Sequence, residues 1–164
     1  MSTFVEKNVD QNKKAWFLLD AKDQIVGRLA SKAASLLVGK HKPTYTRNAD
    51  TGDFVIIVNA DKVKFTGNKL EGKLYYDHTG YVSGLKEKTA LVMLQKHPEE
   101  ILKRAIWGML HKSKLAKHQI TKLKVYTTAE HPHTAQKVVA WTEPKRTVAR
   151  VTKKVVKKTA TANR

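Results

Sequence analysis

Short segments rich in basic side chains could bind the phosphates of a nucleic acid. Residues 40–47 combine three Lys or Arg side chains with a histidine and a tyrosine. Residues 112–118 contain three lysines and a histidine, and residues 69–78 contain two lysines, two tyrosines and a histidine. Lysine and arginine neutralise phosphates and release counterions, while aromatic rings, histidine and the guanidinium plane stack on exposed bases. The candidate contacts are Lys40, His41, Lys42, Arg47, Lys69, His78, Lys112, Lys114 and Lys117.

The charge of the whole chain supports a polyanionic partner. The 164 residues hold 32 Lys and Arg against 14 Asp and Glu, a formal net charge of +18. The residues after Glu143 carry eight basic side chains and no acidic one, which leaves 24 basic and 14 acidic side chains in residues 1–143. The part expected to fold is therefore itself basic, and we expect it to bind nucleic acid.

One acidic motif is typical of a different chemistry. The Asp-Thr-Gly triplet at 50–52 is the one that retroviral-type aspartic proteases place at their active site. A working dyad needs two carboxylates that share a proton, so a single copy requires a homodimer, and Asp53 adds a further negative charge. We interpret the segment as a loop in which Gly52 turns the chain and Asp50 or Asp53 caps backbone donors.

Two further sets of side chains could in principle bind a metal. A nuclease-type site would use Asp53, Asp61, Asp77 and His78, although no two of these carboxylates share a tight motif. A zinc site would use His111, His118, His131 and His133, although their spacing fits no standard ligand set and the chain has no cysteine. Neither nucleotide-binding glycine motif, G-x-x-x-x-G-K-[ST] or G-x-G-x-x-G, is present. We therefore expect no catalytic residue, no metal, no cofactor and no small-molecule substrate, with a metal-dependent nuclease and a DNA-compacting protein as alternative hypotheses.

Neither a disulfide framework nor a membrane span is expected. The chain contains no cysteine, which also fits a reducing compartment. Residues 1–14 show no apolar segment of a secretory signal. The longest apolar runs, at 16–19 and Phe54–Val58, are far shorter than the roughly 20 residues that span a bilayer. We expect a soluble, intracellular protein with no membrane partner.

The elements that position the basic segments alternate between strand and helix. The apolar run at 16–19 predicts a strand, and the helical spacing of apolar residues over 25–37 predicts a helix that ends at Gly39. Phe54–Val58 is continuously apolar, which is typical of a central strand covered on both faces. The first basic segment thus directly follows the end of a helix.

The second half of the chain predicts weaker strands followed by helices. Strands are expected at 63–66 and 73–76, and one of the two tyrosines at 75–76 must then face the core. Helices are expected over 89–96 and from Pro98, where a proline and two carboxylates suit the first turn. A last short strand is expected around 123–125, and residues 135–164 show little apolar periodicity.

Ten motifs occur in the order that one known family shows. They are W-F-L-L-D at 16–20, G-R-L-A at 27–30, G-K-H-K-P at 39–43, D-T-G-D at 50–53, V-N-A-D-K-V at 58–63, T-G at 66–67, Y-Y at 75–76, H-T-G at 78–80, G-M-L at 108–110 and L-K-V-Y at 123–126. Together they cover about residues 14–133 and closely resemble large-subunit ribosomal protein thirteen of the bacterial type. No single motif carries this resemblance alone.

The resemblance implies a fold and a role. The fold is α/β: a three-layer α/β/α domain with a mainly parallel four-stranded sheet at 15–135, after an N-terminal arm at 1–14 and before a basic, low-complexity C-terminal extension at 136–164. The role is that of a structural constituent of the large ribosomal subunit in the cytoplasm, which binds 23S-type ribosomal RNA beside neighbouring ribosomal proteins and acts early in subunit assembly. Some members are also linked to messenger RNA binding and translational repression.

The chain departs from the family in one motif and at its end. His111 stands where proline is usual, Ser113-Lys114 replaces a common Gly-Pro and Ala116 replaces a common glycine, so we expect a less turn-like loop. The common form ends soon after the region of His131 and His133, and we expect the extension to bind RNA. Its candidate contacts are Lys145, Arg146, Arg150, Lys153, Lys154, Lys157 and Lys158.

Overall fold

The computed structural model describes residues 14–142, and its first elements follow the predicted order. Strand β1 (Trp16–Asp20) leads into helix α1 (Val26–Val38), and β2 (Phe54–Val58) follows. Helix α1 ends at Gly39, whose φ of 87° lies in the left-handed region that glycine adopts at little cost. The predicted first strand, first helix and apolar strand are therefore confirmed.

The main sheet has four parallel strands in the order β5-β2-β1-β6, where β5 is Leu123–Val125 and β6 is Val139–Ala140. Residues 55–58 of β2 are between 0 and 5% exposed, because the interior of the sheet is covered on both faces. The expected three-layer α/β/α fold with a four-stranded sheet is confirmed. Its fourth strand comes from the stretch 136–164 that the sequence predicts to be an extension.

A separate antiparallel hairpin consists of β3 (Leu74–His78) and β4 (Leu85–Thr89). Tyr75 is 9% exposed and Tyr76 is 55% exposed. This difference confirms that one tyrosine of the pair faces the core, since successive strand residues point to opposite faces.

The strand predicted at 63–66 is wrong. A 3₁₀ turn, Ala60–Lys62, follows β2, and Lys64 then forms only an isolated bridge with Ile25. At this point the chain passes the start of α1. Lys64 therefore pairs with Ile25, but the neighbouring residues form no further β-ladder pairs.

Four helices follow β2: α2 (Lys69–Gly72), α3 (Ala90–Lys96), α4 (Pro98–Met109) and α5 (Lys114–Thr121). The predicted helices over 89–96 and from Pro98 are confirmed as α3 and α4. Helix α5 occupies the stretch where the sequence predicts a loop. It forms because the Ser113 hydroxyl accepts a hydrogen bond from the Ala116 amide at 3.4 Å and so caps its first turn.

The core lies between the main sheet and its helices. Leu29 and Leu37 of α1 and Ile101, Leu102 and Ile106 of α4 are at most 2% exposed. This packing fixes the last turn of α1 beside the sheet, and the first basic segment starts there. Among the helices of residues 14–142, none has the length and apolar character needed to cross a membrane.

Candidate nucleic-acid interface

Charged side chains meet at the amino edge of the main sheet. Strands β1, β2 and β5 are parallel, so the residues that directly precede them converge at this one edge. There the structure forms a buried ionic network, defined here as Lys14, Lys42, Asp50, Asp53 and Lys122.

Asp53 is the most enclosed member of the buried ionic network, with 0% of its surface exposed. Its Oδ1 accepts hydrogen bonds from the Ala15 amide at 2.9 Å and from Nζ of Lys42 at 2.6 Å. Nε2 of His41 lies 2.8 Å from the other carboxylate oxygen, Oδ2. The interpretation that Asp53 caps a backbone donor is confirmed, and the charge that looked unbalanced in the sequence is paired.

The carboxylate of Asp50 forms ion pairs with the ammonium groups of two lysines. Nζ of Lys122 lies 2.6 Å from Oδ1 of Asp50, and Nζ of Lys14 lies 2.8 Å from Oδ2. Burial lowers the pKa of Lys122 to about 8, against the opposing effect of Asp50. Burial alone would raise the pKa of Asp50, but Lys122 and Lys14 together lower it below its ordinary value.

The buried ionic network also fixes the end of α1. Nζ of Lys122 donates to the carbonyl oxygens of Leu37 at 3.2 Å and of Gly52 at 3.0 Å. A Cβ atom on Gly52 would lie 1.7 Å from the Leu37 oxygen, so only glycine lets the two segments approach. At Gly52, where the sequence predicts a turn, the backbone contacts the end of α1 closely. This contact anchors the loop that follows α1.

The residues considered for an aspartic protease, a nuclease-type metal site and a zinc site lie in different environments. The carboxylate of Asp50 is paired with two lysines, and Asp77 lies 2.7 Å from Nη2 of Arg104. Within residues 14–142, no group of three or more His, Cys, Asp or Glu side chains is arranged to hold a metal ion. Nε2 of His133 lies 2.8 Å from the Tyr126 hydroxyl, and burial lowers the pKa of His133.

The structure divides the first basic segment into an inner and an outer pair. Lys42 belongs to the buried ionic network, and the His41 ring packs edge-on against Phe17 and Trp141, each with centroids 5.6 Å away. Lys40 and Arg47 are exposed, and in the described part of the chain neither forms an ion pair. The sequence does not anticipate the internal partners of His41 and Lys42.

The first and second basic segments meet at one surface. Lys112, Lys114 and Lys117 are exposed on and before α5. A notch of about 250 Å³ is lined on one side by Tyr45 and Arg47 and on the other by His111, Ser113, Leu115 and Gln119. We use the name basic rim for the exposed cations of the two segments, Lys40, Arg47, Lys112, Lys114 and Lys117. Arg47 lines the notch, whereas Lys112 and Lys117 lie beside Trp107.

The other predicted contacts lie elsewhere or beyond the described residues. Lys69 is exposed on α2, and His78 is exposed at the end of β3, where its Nδ1 accepts a hydrogen bond from the Gly80 amide at 3.0 Å. The seven candidate contacts of the extension, residues 145–158, lie outside residues 14–142. Trp107 is half-buried against the core, with Nζ of Lys112 5.5 Å from its ring.

Sequence reasoning missed the structural role of Lys14 and Lys122. The sequence contains a weak signal for this role, because Lys14 and Lys122 lie shortly before the first residue of a strand, as Asp50 and Asp53 do. Parallel pairing brings such positions together at one edge, and alternating charge there favours ion pairs. The signal needs the strand order, which local patterns do not contain.

Comparisons with known proteins identify the relatives of the chain. The model of the family described as Ribosomal protein L13 matches residues 14–132. The chain is similar to "Large ribosomal subunit protein uL13" of Trichlorobacter lovleyi, with 52% identity over 136 residues that cover 83% of this chain and 95% of the relative. The protein of the same name from Brevibacillus brevis is 51% identical over 140 residues, 85% of this chain and 96% of the relative. That from Desulfotalea psychrophila is 48% identical over 128 residues, 78% and 90% of the two chains.

Proposed function

The chain belongs to the ribosomal protein L13 family, and on this premise we propose that its basic rim binds the ribosomal RNA of the large subunit. The family assigns the chain a structural role in the large subunit of the cytoplasmic ribosome and no enzymatic one. The alpha/beta core then serves to hold the rim in a fixed shape against the RNA.

The observation that carries this proposal is the contrast in charge pairing at the rim. Its five cations are exposed, and among residues 14–142 none of them lies in an ion pair. The nearby carboxylates, Asp50 and Asp53, are already paired with Lys14, Lys42 and Lys122. A cation without a carboxylate partner is available to neutralise phosphate.

The notch beside Arg47 supports RNA in particular. Tyr45 and His111 line it together with Arg47, and rings of this kind can stack on bases that have left a helix. Folded ribosomal RNA presents both dense phosphates and unpaired bases, whereas duplex DNA presents phosphates with its bases stacked. A DNA-compacting protein would bind random duplex DNA as tightly as ribosomal RNA.

The proposal extends to partners that the family resemblance implies. The chain joins the large subunit early in its assembly, beside neighbouring ribosomal proteins, and messenger RNA is a secondary partner through which translation is repressed. The support for this extension is the match of residues 14–132 to the family, together with the same cationic surface.

Sedimentation of a cell lysate through a sucrose gradient tests the proposal. We expect the chain to migrate with large subunits and whole ribosomes in low salt. Recovery only at the top of the gradient would contradict the assignment. In a parallel binding experiment, equal affinity for random duplex DNA and for large-subunit RNA would favour the DNA-compacting alternative.

The extension forms a second part of the proposed RNA contact. Residues 144–164 contain eight basic and no acidic side chains, and they lie outside the described residues. A variant that lacks residues 143–164 tests this contact, because it keeps β6 and Trp141. We expect its RNA affinity to depend less on salt than that of the full-length chain. Each lost phosphate contact reduces the slope of log affinity against log salt by about 0.7 to 0.9. An unchanged slope would mean that the extension touches no phosphate.

A further inference from the structure

A cleft of about 750 Å³ opens between the start of α1, the α2–β3 segment and α4. Gly27, Phe65 and Tyr75 are among the residues that line it. Its volume falls within the roughly 300 to 1,000 Å³ of sites that hold small organic groups. None of the residues of the buried ionic network or of the basic rim lines this cleft.

The lining of the cleft is cationic. Lys64, Lys69, Lys73 and Arg104 contribute to it, and no acidic residue does. Lys64 is paired with Asp23 at 2.6 Å, and Arg104 is paired with Asp77 at 2.7 Å. In the described part of the chain, Lys69 and Lys73 form no ion pair, so they leave two positive charges for an anion.

Two aromatic side chains lie beside these charges. Phe65 is half-buried and Tyr75 is 9% exposed, so both rings are fixed by the protein around them. Nζ of Lys73 and Cζ of Arg104 lie over the Tyr75 ring, 5.1 and 5.8 Å from its centre, which leaves Phe65 as the main aromatic surface for a base. Within residues 14–142 the Tyr75 hydroxyl has no hydrogen-bond partner, and burial raises its pKa, so it remains a neutral donor.

The start of α1 supplies room beside its backbone. A Cβ atom built on Gly27 would meet no other atom within 4 Å. The first turn of α1 contains no acidic residue and receives no side-chain cap, although the Val26 amide donates to the Lys64 carbonyl at 3.1 Å.

We propose that this cleft binds one unpaired nucleotide of single-stranded RNA, with the phosphate facing Lys69 and Lys73 and the base against Phe65 and Tyr75. The inference rests on the proposed function, to which it adds a second and separate RNA site. The combination of spare cations with aromatic surface in a confined volume matches a phosphate joined to a flat base. An acidic peptide would use the cations but has no group for the aromatic lining, and a free mononucleotide offers the same chemistry as the RNA.

Photo-crosslinking of the full-length chain locates the site directly. An eight-nucleotide single-stranded RNA that contains 4-thiouridine is irradiated with the protein, and the crosslinked peptides are identified by mass spectrometry. We expect crosslinks to peptides that contain Phe65 or Tyr75, and a separate set at Tyr45 in the notch beside Arg47.

Two substitutions of Gly27 separate charge from shape. Gly27→Glu places a carboxylate in the open space of the cleft, and we expect it to reduce crosslinking at Phe65 and Tyr75 at least tenfold. Gly27→Gln has nearly the same shape without the charge, so its crosslinking measures the loss caused by filling the space, and Gly27→Glu should crosslink at least threefold less than Gly27→Gln. Both variants should fold, because the space is open and glycine is a poor helix former. Crosslinking at Tyr45 should stay unchanged in both.

Other outcomes would overturn the inference. Equal crosslinking by thiouridine monophosphate would identify a free nucleotide as the ligand, and equal crosslinking by a duplex RNA would exclude an unpaired base. If crosslinks at Tyr45 and sedimentation with large subunits persist while the cleft gives none, the cleft inference fails and the proposed function stands.

Discussion

The buried ionic network and the basic rim contain the same kinds of side chain in adjacent parts of the chain, yet their charges are used in opposite ways. In the buried ionic network, the ammonium groups of Lys14, Lys42 and Lys122 lie within 2.6 to 2.8 Å of carboxylate oxygens. In the basic rim, Lys40 and Arg47 are exposed and form no ion pair among residues 14–142. The first arrangement holds the protein together, and the second is available to a partner.

The difference follows from where the strands begin. Asp50 and Asp53 lie just before β2, so they face the residues that precede β1 and β5 and draw two lysines inward. The charge density of a basic protein therefore does not measure its binding surface. The cations that remain unpaired after the internal carboxylates are satisfied are the ones that can bind phosphate.

Removal of Asp53 should give the largest effect on the buried side of this comparison. Asp53→Ala leaves the Ala15 amide without its acceptor, while the Lys42 ammonium, whose side chain is 29% exposed, keeps the Thr51 carbonyl at 3.0 Å. We expect the free energy of unfolding to fall by about 1 to 3 kcal/mol, the usual cost of a buried donor left without its partner. Urea denaturation measures this change.

Asp53→Asn is the matched control, because it keeps an oxygen for the Ala15 amide and removes the charge. It should fold and lose less stability than Asp53→Ala. A loss under about 1 kcal/mol for Asp53→Ala would mean that the buried ionic network does not support the fold. If wild-type protein cleaved RNA and folded Asp53→Asn did not, the metal-dependent nuclease would replace the structural interpretation.

Neutralisation of the basic rim should give the largest effect on the exposed side. The quadruple variant Lys40→Gln, Arg47→Gln, Lys114→Gln and Lys117→Gln should lower the slope of log RNA affinity against log salt by about 3, since each phosphate contact contributes about 0.7 to 0.9. Its free energy of unfolding should change by less than about 0.5 kcal/mol per substitution. A normal salt slope together with lost stability would reverse the roles assigned to the two regions.

Local patterns predicted much of the fold. Strands β1 and β2 and helices α1, α3 and α4 follow from apolar runs, helical spacing and terminal signals such as Pro98. Strand β4, with the sequence L-K-E-K-T, has no apolar alternation because the hairpin exposes it, and β6 is two residues long. These strands are defined by their pairing with β3 and β1, which no local pattern expresses.

The candidate site was predictable to a lesser extent. The clusters at 40–47 and 112–118 are visible as charge, but only the fold shows that they share a notch. The pairs Lys14–Asp50 and Lys122–Asp50 join residues 36 and 72 positions apart, so their partners are set by strand order. For this reason the sequence alone did not separate Lys42 from Lys40.

The pH dependence of stability should report on Lys122. Its pKa is lowered to about 8 in the folded protein from an ordinary value of 10.5, mainly by burial. Between these values the unfolded chain binds the proton and the folded chain does not, so stability rises with pH. The wild type should gain at most about 1.4 kcal/mol per pH unit relative to Lys122→Met in this window. Urea titrations of both proteins at pH 7.5, 8.5 and 9.5 measure the difference, and a parallel course would mean that Lys122 stays charged.

His41 and Lys40 test the comparison at its smallest scale, because adjacent residues should act differently. Nε2 of His41 faces the buried Asp53 carboxylate at 2.8 Å, whereas Lys40 is exposed and unpaired within residues 14–142. We expect His41→Ala to cost about 0.5 to 1.5 kcal/mol of unfolding free energy, because the ring packs against Phe17 and Trp141 and Nε2 lies beside the Asp53 carboxylate. Lys40→Ala should change stability by less than about 0.5 kcal/mol and lower the salt slope of RNA binding by about 0.7 to 0.9. Equal stability losses in both variants would mean that His41 does not stabilise the fold through its contact with Asp53.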